Sequence, residues 1–145
     1  MLARASRVYS CVPALIVLVI ELISFSSVAR SQDAVLSPQA QELFVKGTAD
    51  LRSGNYERAV ASFQKFIDIR ADFAPAYLNL GLAYHSLKLY PKAIPSFVKA
   101  FHLDPQSDGA ALFLGIDYYQ TNHPEEARQY LERALALNPK DPDVH

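Results

Sequence analysis

The sequence predicts an all-α fold, a solenoid made of three copies of a helix-turn-helix unit. Gly47, Gly81 and Gly115 lie 34 residues apart. An alanine follows each glycine after twelve residues, and a bulky apolar residue follows each alanine after four more. A period of this length is typical of repeat arrays, whose stacked units share a core and whose function depends on surfaces. The alanines are Ala59, Ala93 and Ala127, and the bulky residues are Phe63, Phe97 and Leu131.

Each 34-residue window divides into two helix-length stretches joined by a short turn. Small residues at fixed offsets allow two antiparallel helices to approach closely. Larger residues three or four positions away, such as Leu80, Tyr84 and Leu114, are then expected to fill the space between the helices. The predicted helices are 40–53 and 56–70, then 74–87 and 90–103, then 108–121 and 124–137.

Prolines mark several of the predicted helix ends. Pro105 and Pro139 follow second helices, which they terminate because proline cannot continue the backbone hydrogen bonds. Pro91 and Pro124 stand at or next to helix starts, where a missing N–H is tolerated. Pro95 lies deeper in its helix, and we expect a local distortion there.

The second window carries the pattern of a known family. Residues 77–84, with the sequence YLNLGLAY, are followed by Ala93, Phe97, Ala100 and Pro105. This arrangement resembles the tetratricopeptide repeat (TPR) family, which implies a right-handed superhelical α-solenoid. The resemblance assigns repeats to 40–73, 74–107 and 108–141. The first is degenerate, as expected at the end of an array, with Lys46 and Asp50 where the family has Leu and Tyr.

The N-terminal residues have the composition of a secretory signal peptide. Arg4 and Arg7 precede an apolar run, and small residues follow that run. We expect residues 1–31 to be removed, with Gln32 as the first mature residue or with cleavage after Ala29. The alternative is a retained membrane anchor, but Glu21 in such a span costs roughly 2.5–3.5 kcal/mol. The predicted location is therefore periplasmic or secreted, with an anchored form as the alternative.

Removal of residues 1–31 leaves 11 Lys and Arg against 14 Asp and Glu, a net charge of −3. An acidic array without a basic run argues against binding of nucleic acid, which requires Lys and Arg on phosphates. The only cysteine, Cys11, leaves with the signal peptide, so the mature chain has no disulfide and no thiol nucleophile. Residues 32–39 are predicted to be a linker into the first helix.

Catalytic and metal-binding patterns are lacking in the sequence. It has no Gly-rich phosphate loop, no G-x-S-x-G and no H-E-x-x-H. Its four histidines are spread without the spacing of metal ligands. Glu125 and Glu126 favour the start of a helix, Asp104 reads as a helix-end residue and Asp108 as a cap. We therefore predict no enzymatic activity, no cofactor and no metal.

The TPR resemblance implies that the first helix of each repeat lines a concave groove. Carried over position by position, it predicts an apolar strip with a polar edge that binds a protein or peptide. For Leu78 and Leu112 the sequence is equally consistent with a position in the groove and with a position in the core between helices. The groove positions are Gln41, Phe44, Thr48, Leu51, Arg52, Pro75, Leu78, Leu82, His85, Ser86, Gly109, Leu112, Ile116, Tyr119 and Gln120.

Some members of the family grip a C-terminal carboxylate of heat-shock chaperones with Lys, Asn and Arg. Only Asn79 matches that clamp in this chain. The other clamp positions hold Phe44, Thr48, Gly109 and Phe113. The resemblance therefore favours a protein partner other than a chaperone tail, with Asn79 included among the groove residues.

Residues 142–145 look like a tail or the start of a fourth repeat. Leu131, Ala134, Leu135 and Leu137 would then lack a covering helix, so we expect either a fragment of a longer protein or association through helix 124–137. The leading hypothesis is an exported, non-catalytic TPR module that binds another protein. The alternatives are a regulatory or targeting segment of a larger exported enzyme, and a self-assembling structural element.

Overall fold

The computed structural model describes residues 36–139. Residues from Pro38 onwards form one compact unit, to which almost all of the described residues belong. The predicted signal peptide, most of the predicted linker and the predicted tail 142–145 lie outside the described residues. Between residues 36 and 139 the secondary structure consists of six α-helices and no strand.

All six predicted helices are present, and their ends differ from the predicted ones by two residues at most. The main difference is at the first helix, which begins at Pro38, so the end of the predicted linker is helical. Proline is well suited to this position because its N–H would have no partner there. The helices are α1 Pro38–Arg52, α2 Tyr56–Ile69, α3 Ala74–Ser86, α4 Tyr90–Leu103, α5 Asp108–Gln120 and α6 Pro124–Leu137.

Prolines and one serine mark the starts of several helices. Pro91 and Pro124 lie within the first two positions of α4 and α6, as predicted. Helix α4 continues through Pro95, so the expected distortion does not interrupt the helix. Ser107, rather than Asp108, caps α5, because its hydroxyl accepts a hydrogen bond from the Ala110 N–H at 3.2 Å. Asp108 instead accepts a hydrogen bond from the Asn138 side chain at 3.0 Å.

The turn between the two helices of each repeat has the same backbone conformation. One residue in each turn lies in the left-handed region, with φ of 76° at Gly54, 58° at Lys88 and 63° at Asn122. These residues are again spaced by the 34-residue period. The 34-residue repeat is therefore present in the backbone structure as well as in the sequence.

The helices form two layers. Each helix packs against its neighbours in the chain, and α3 also contacts both α1 and α5. No comparable contact joins α2 to α4 or α4 to α6 in the described part of the chain. Helices α1, α3 and α5 therefore lie closer to one another than α2, α4 and α6 do. In a curved array, the layer with the closer helices is the inner one.

The repeated glycines lie where the two helices of each repeat meet. A Cβ atom on Gly81 would be 2.5 Å from the Phe97 ring, and one on Gly115 would be 2.5 Å from Leu131. At Gly47 the distance to the Phe63 ring would be 3.0 Å. The prediction that glycine permits close helix packing is confirmed at these positions. The alanines of the pattern, Ala59, Ala93 and Ala127, are all buried.

The last helix is better covered than the sequence predicts. Ala134 is buried against Ala111 and Leu112, so the expectation that it lacks cover is wrong. The reason is that α5 itself covers this face of α6, with Leu131 packed over Gly115. Leu135 and Leu137 are half-buried.

Candidate protein-binding groove

The structure places all nine predicted site residues on the inner layer of helices, and their exposure differs widely. Leu112 is 7% exposed, whereas Tyr119 is 70% exposed and the rest are half-buried. We call this row the inner strip. It consists of Phe44 and Thr48 on α1, Leu78, Asn79, Leu82 and His85 on α3, and Leu112, Ile116 and Tyr119 on α5.

The α1 end of the inner strip is occupied by internal packing. The Phe44 ring lies 5.4–5.9 Å from the ring centroids of Phe63, Phe66 and Phe73, mostly in edge or tilted arrangements. Such geometry is favourable between aromatic rings. The Thr48 hydroxyl donates a hydrogen bond to the Phe44 carbonyl at 2.8 Å. Phe44 therefore serves mainly as core, and the Thr48 hydroxyl already has a partner within α1.

The centre of the inner strip mixes core and surface. Leu78 and Leu82 are half-buried and pack against the cluster formed by Ala93, Phe97 and Leu114. Each leaves part of its side chain at the surface. These two leucines can therefore contribute to both the core and a binding surface.

On α5 the core and surface functions separate. Leu112 forms a buried cluster with Ala111 and Ala134. Of its two predicted roles, groove residue and core residue, the structure therefore favours the core. Ile116 is half-buried beside the same cluster. Tyr119, one turn further along α5, exposes most of its ring, so this end of the inner strip presents the largest apolar surface.

His85 forms the principal polar contact of the inner strip. Its Nδ1 lies 2.5 Å from Oδ1 of Asp117, and this hydrogen bond joins α3 to α5. The imidazole is flanked by the rings of Tyr90 and Phe113, with centroids 5.5 and 5.0 Å away. Asp117 is completely buried, and its Oδ2 has no hydrogen-bond partner among the described residues.

The sequence predicts His85 as a groove residue, whereas Asp117 stands out there only as one of several acidic residues and is given no role in the site. The signal was present in the repeat alignment, because Asp117 occupies the position that Ala83 holds in the second repeat. Ala83 is fully buried in the structure, so the carboxylate of the third repeat takes the place of a small buried side chain.

Two further polar groups lie close to the helix seams. Asp50, in the degenerate first repeat, is 6% exposed and pairs with Arg58 at 3.3 Å. Tyr118, which has the equivalent position in the third repeat, stacks on Tyr130 with centroids 5.6 Å apart. Burial raises the pKa of the Tyr118 phenol, with smaller contributions from Tyr130 and Glu126. Both residues lie where helices pack together and outside the inner strip, and Oδ2 of Asp50 also lacks a hydrogen-bond partner among the described residues.

Residues 36–139 contain no cluster of three or more His, Cys, Asp or Glu side chains that could hold a metal ion. None of the helices in this part of the chain combines the length and the apolar character needed to cross a membrane.

Solved structures share this architecture. The first TPR domain of Spaghetti (RPAP3), bound to an HSP90 peptide SRMEEVD, superimposes with a TM-score of 0.72 and 26% identity, covering 76% of this chain and 87% of that domain. The second TPR domain of human RPAP3, in complex with an HSP70 peptide SGPTIEEVD, gives 0.70 and 25% identity, covering 73% and 88%.

The amino-acid sequence is also similar to tetratricopeptide repeat proteins. A yeast relative from Saccharomyces cerevisiae, small glutamine-rich tetratricopeptide repeat-containing protein 2, is 28% identical over 105 residues. That alignment covers 72% of this chain but only 30% of the yeast protein, so the chain spans less than a third of its length. Two tetratricopeptide repeat models match residues 44–108 and 85–145, and together they cover residues 44–145. The chain belongs to the tetratricopeptide repeat family.

Proposed function

We propose that the chain is a non-catalytic interaction module that binds a peptide or protein segment along the inner strip. The observation that carries the proposal is the graded exposure of apolar side chains on α3 and α5, which ends in Tyr119 at 70% exposed. Exposed aromatic residues beside half-buried aliphatic ones are typical of protein-binding surfaces. The peptide complexes of the similar RPAP3 domains support the same use of the fold.

The proposed ligand is not the tail of a heat-shock chaperone. A carboxylate clamp needs cationic and amide side chains, but Phe44 belongs to an aromatic cluster and Phe113 stacks on Phe97 with centroids 5.5 Å apart. The Thr48 hydroxyl is bonded within its own helix. Asn79 is the one clamp position that retains a suitable amide.

Binding to the inner strip is tested with two sets of variants and a pool of randomised peptides. Leu82→Glu combined with Ile116→Glu places two charges on half-buried apolar sites, and should reduce peptide retention at least tenfold while most helix content remains. Tyr119→Ala removes an exposed ring and should weaken binding without affecting stability. Val98→Ala, at an exposed apolar residue of α4, is the control.

The two variants separate binding from folding. Loss of helix content in the double variant would assign Leu82 and Ile116 to the core and remove them from the site. Unchanged peptide retention by a folded Tyr119→Ala protein would contradict the inner strip as the binding surface, since this ring supplies its most exposed apolar area.

We also propose that the module is exported. Support comes from the arginine, apolar and small-residue segments of the first 31 residues. N-terminal sequencing of the protein from its natural source should find Gln32 or Arg30 as the first residue. Recovery of an intact N-terminus from a membrane fraction would support the anchored alternative.

Self-association is a second candidate function, favoured by the half-buried Leu135 and Leu137 on the last described helix. Pairing of α6 with a second copy would bury apolar surface that the described residues leave partly exposed. In that case the chain would act as an assembly element, and the inner strip would stay available.

A further inference from the structure

A buried carboxylate lies behind the inner strip at a position where the fold accepts alanine. Asp117 on α5 is completely buried, as is Ala83 at the equivalent position of α3. The packing of a repeat therefore needs only a small side chain here. The carboxylate requires another explanation.

Stability does not provide that explanation. Oδ2 of Asp117 has no hydrogen-bond partner among the described residues, and its other oxygen contacts only His85. A buried carboxylate with an unsatisfied oxygen is destabilising compared with a small apolar residue. Polar groups that break the packing rules in this way are concentrated at functional sites.

What Asp117 does is fix the orientation of His85. The carboxylate engages Nδ1 of the imidazole, and the rings of Tyr90 and Phe113 stand against its sides. Nε2 is then the ring nitrogen left to bond a ligand. The His85 side chain is 25% exposed, so it reaches the surface of the inner strip from a rigid support.

The charges of the region favour an acidic ligand group. An imidazole whose Nδ1 faces the Asp117 carboxylate and whose Nε2 faces an anionic ligand group can donate from both ring nitrogens, and each of these hydrogen bonds is then charge-assisted. None of the groove positions predicted from the family pattern carries Asp or Glu, whereas Arg52 adds a positive charge. A carboxylate on the ligand would therefore meet no exposed negative charge at these positions.

We propose that His85, positioned by Asp117, recognises an acidic side chain of the peptide that lies along the inner strip. This inference rests on the proposed peptide-binding function and adds a specificity to it. His85 makes the contact, and Asp117 acts as a positioning residue by holding the imidazole.

The experiment uses the full chain and a pool of randomised peptides with amidated C-termini, so that every carboxylate comes from a side chain. The original protein should enrich Asp or Glu at one peptide position. Replacing that residue by Asn or Gln in a selected peptide should weaken binding about tenfold. The same replacement should have little effect on His85→Gln, which keeps a donor for Asp117 but lacks the imidazole.

Asp117→Ala tests the positioning role, and the alanine of the second repeat indicates that this variant will fold. It should flatten the acidic preference while retaining peptides through apolar contacts, which a purely structural role of Asp117 would not cause. His102→Gln, at an exposed histidine of α4, is the matched control and should leave the preference unchanged.

Three outcomes would overturn the inference. Retention of peptides without an acidic preference would remove the specificity but leave the proposed function intact. An acidic preference that persists in His85→Gln would place the recognition elsewhere. Failure of the folded original protein to retain any peptide would reject the inference together with the proposed function.

Discussion

Single residues decide how closely the helices of this array approach. Gly81 and Gly115 leave room for Phe97 and Leu131, and a Cβ atom at either glycine would lie 2.5 Å from the opposing side chain. The sequence predicts this arrangement because the spacing of glycine, alanine and bulky residue recurs three times. Asp117 could not be predicted in the same way, because it is an exception to the pattern and its partner comes from another repeat.

The close approach at Gly81 leads to a stability prediction. Gly81→Ala should lower the free energy of unfolding by about 1–3 kcal/mol, because the Phe97 ring is fully buried and has little room to move. Gly109→Ala is the control, since a Cβ there meets nothing within 4 Å. Urea unfolding measures both. Equal effects of the two substitutions would show that the seam at Gly81 is not tightly packed.

The His85–Asp117 pair should respond asymmetrically to truncation. His85→Ala leaves a fully buried carboxylate without its hydrogen-bond partner and should destabilise the fold by about 2–4 kcal/mol. Asp117→Ala leaves only a partly exposed imidazole without its partner. It should therefore change the free energy of unfolding less than His85→Ala does. The double variant should be more stable than His85→Ala alone. Thermal unfolding of the three proteins checks this order, and a double variant less stable than both single variants would contradict it.

At the scale of the element, helix ends follow a few residues with clear physical preferences. Pro91 and Pro124 are placed in first turns as predicted, whereas Pro38 was assigned to a linker although it suits a helix start equally well. The sequence alone did not distinguish these cases because the first repeat lacks the family pattern. The cap of α5 was misplaced by one residue, from Ser107 to Asp108, since both side chains are good caps.

The turns between paired helices offer a stabilising substitution. Lys88 has φ of 58°, a conformation that disfavours residues with a Cβ atom and that Gly54 adopts in the first repeat. Lys88→Gly should therefore raise the free energy of unfolding by about 1 kcal/mol. Lys99→Gly, in the interior of α4, should lower it by a similar amount, about 1 kcal/mol. Melting curves that shift in the same direction for both would refute the role assigned to the turn.

At the scale of the whole molecule, one layer of helices supplies both core and binding surface. Leu112 is buried and Tyr119 is exposed, although the family pattern places both in the groove. The 34-residue period identifies equivalent positions in the three repeats. It does not predict what fraction of each side chain the neighbouring inner helices bury. The fold was therefore predictable from the sequence, whereas the division of the inner strip into core and surface required the structure.

The last helix gives the prediction for assembly. If the self-association alternative holds, Leu135→Ser combined with Leu137→Ser should reduce the concentration-dependent association of the chain, because both side chains are partly exposed on α6. Sedimentation velocity at several concentrations measures the effect. Val98→Ser on α4 is the control. Association that persists unchanged in the double variant would exclude this face as the contact.

The central claim is that ligands bind along α1, α3 and α5 rather than on the outer helices. Its most direct test is to follow the backbone amide signals of the chain by NMR during titration with a peptide selected from the randomised pool. We expect the largest shifts on α3 and α5 around Leu82, His85, Ile116 and Tyr119. Shifts concentrated on α2, α4 and α6, with these residues unaffected, would contradict it.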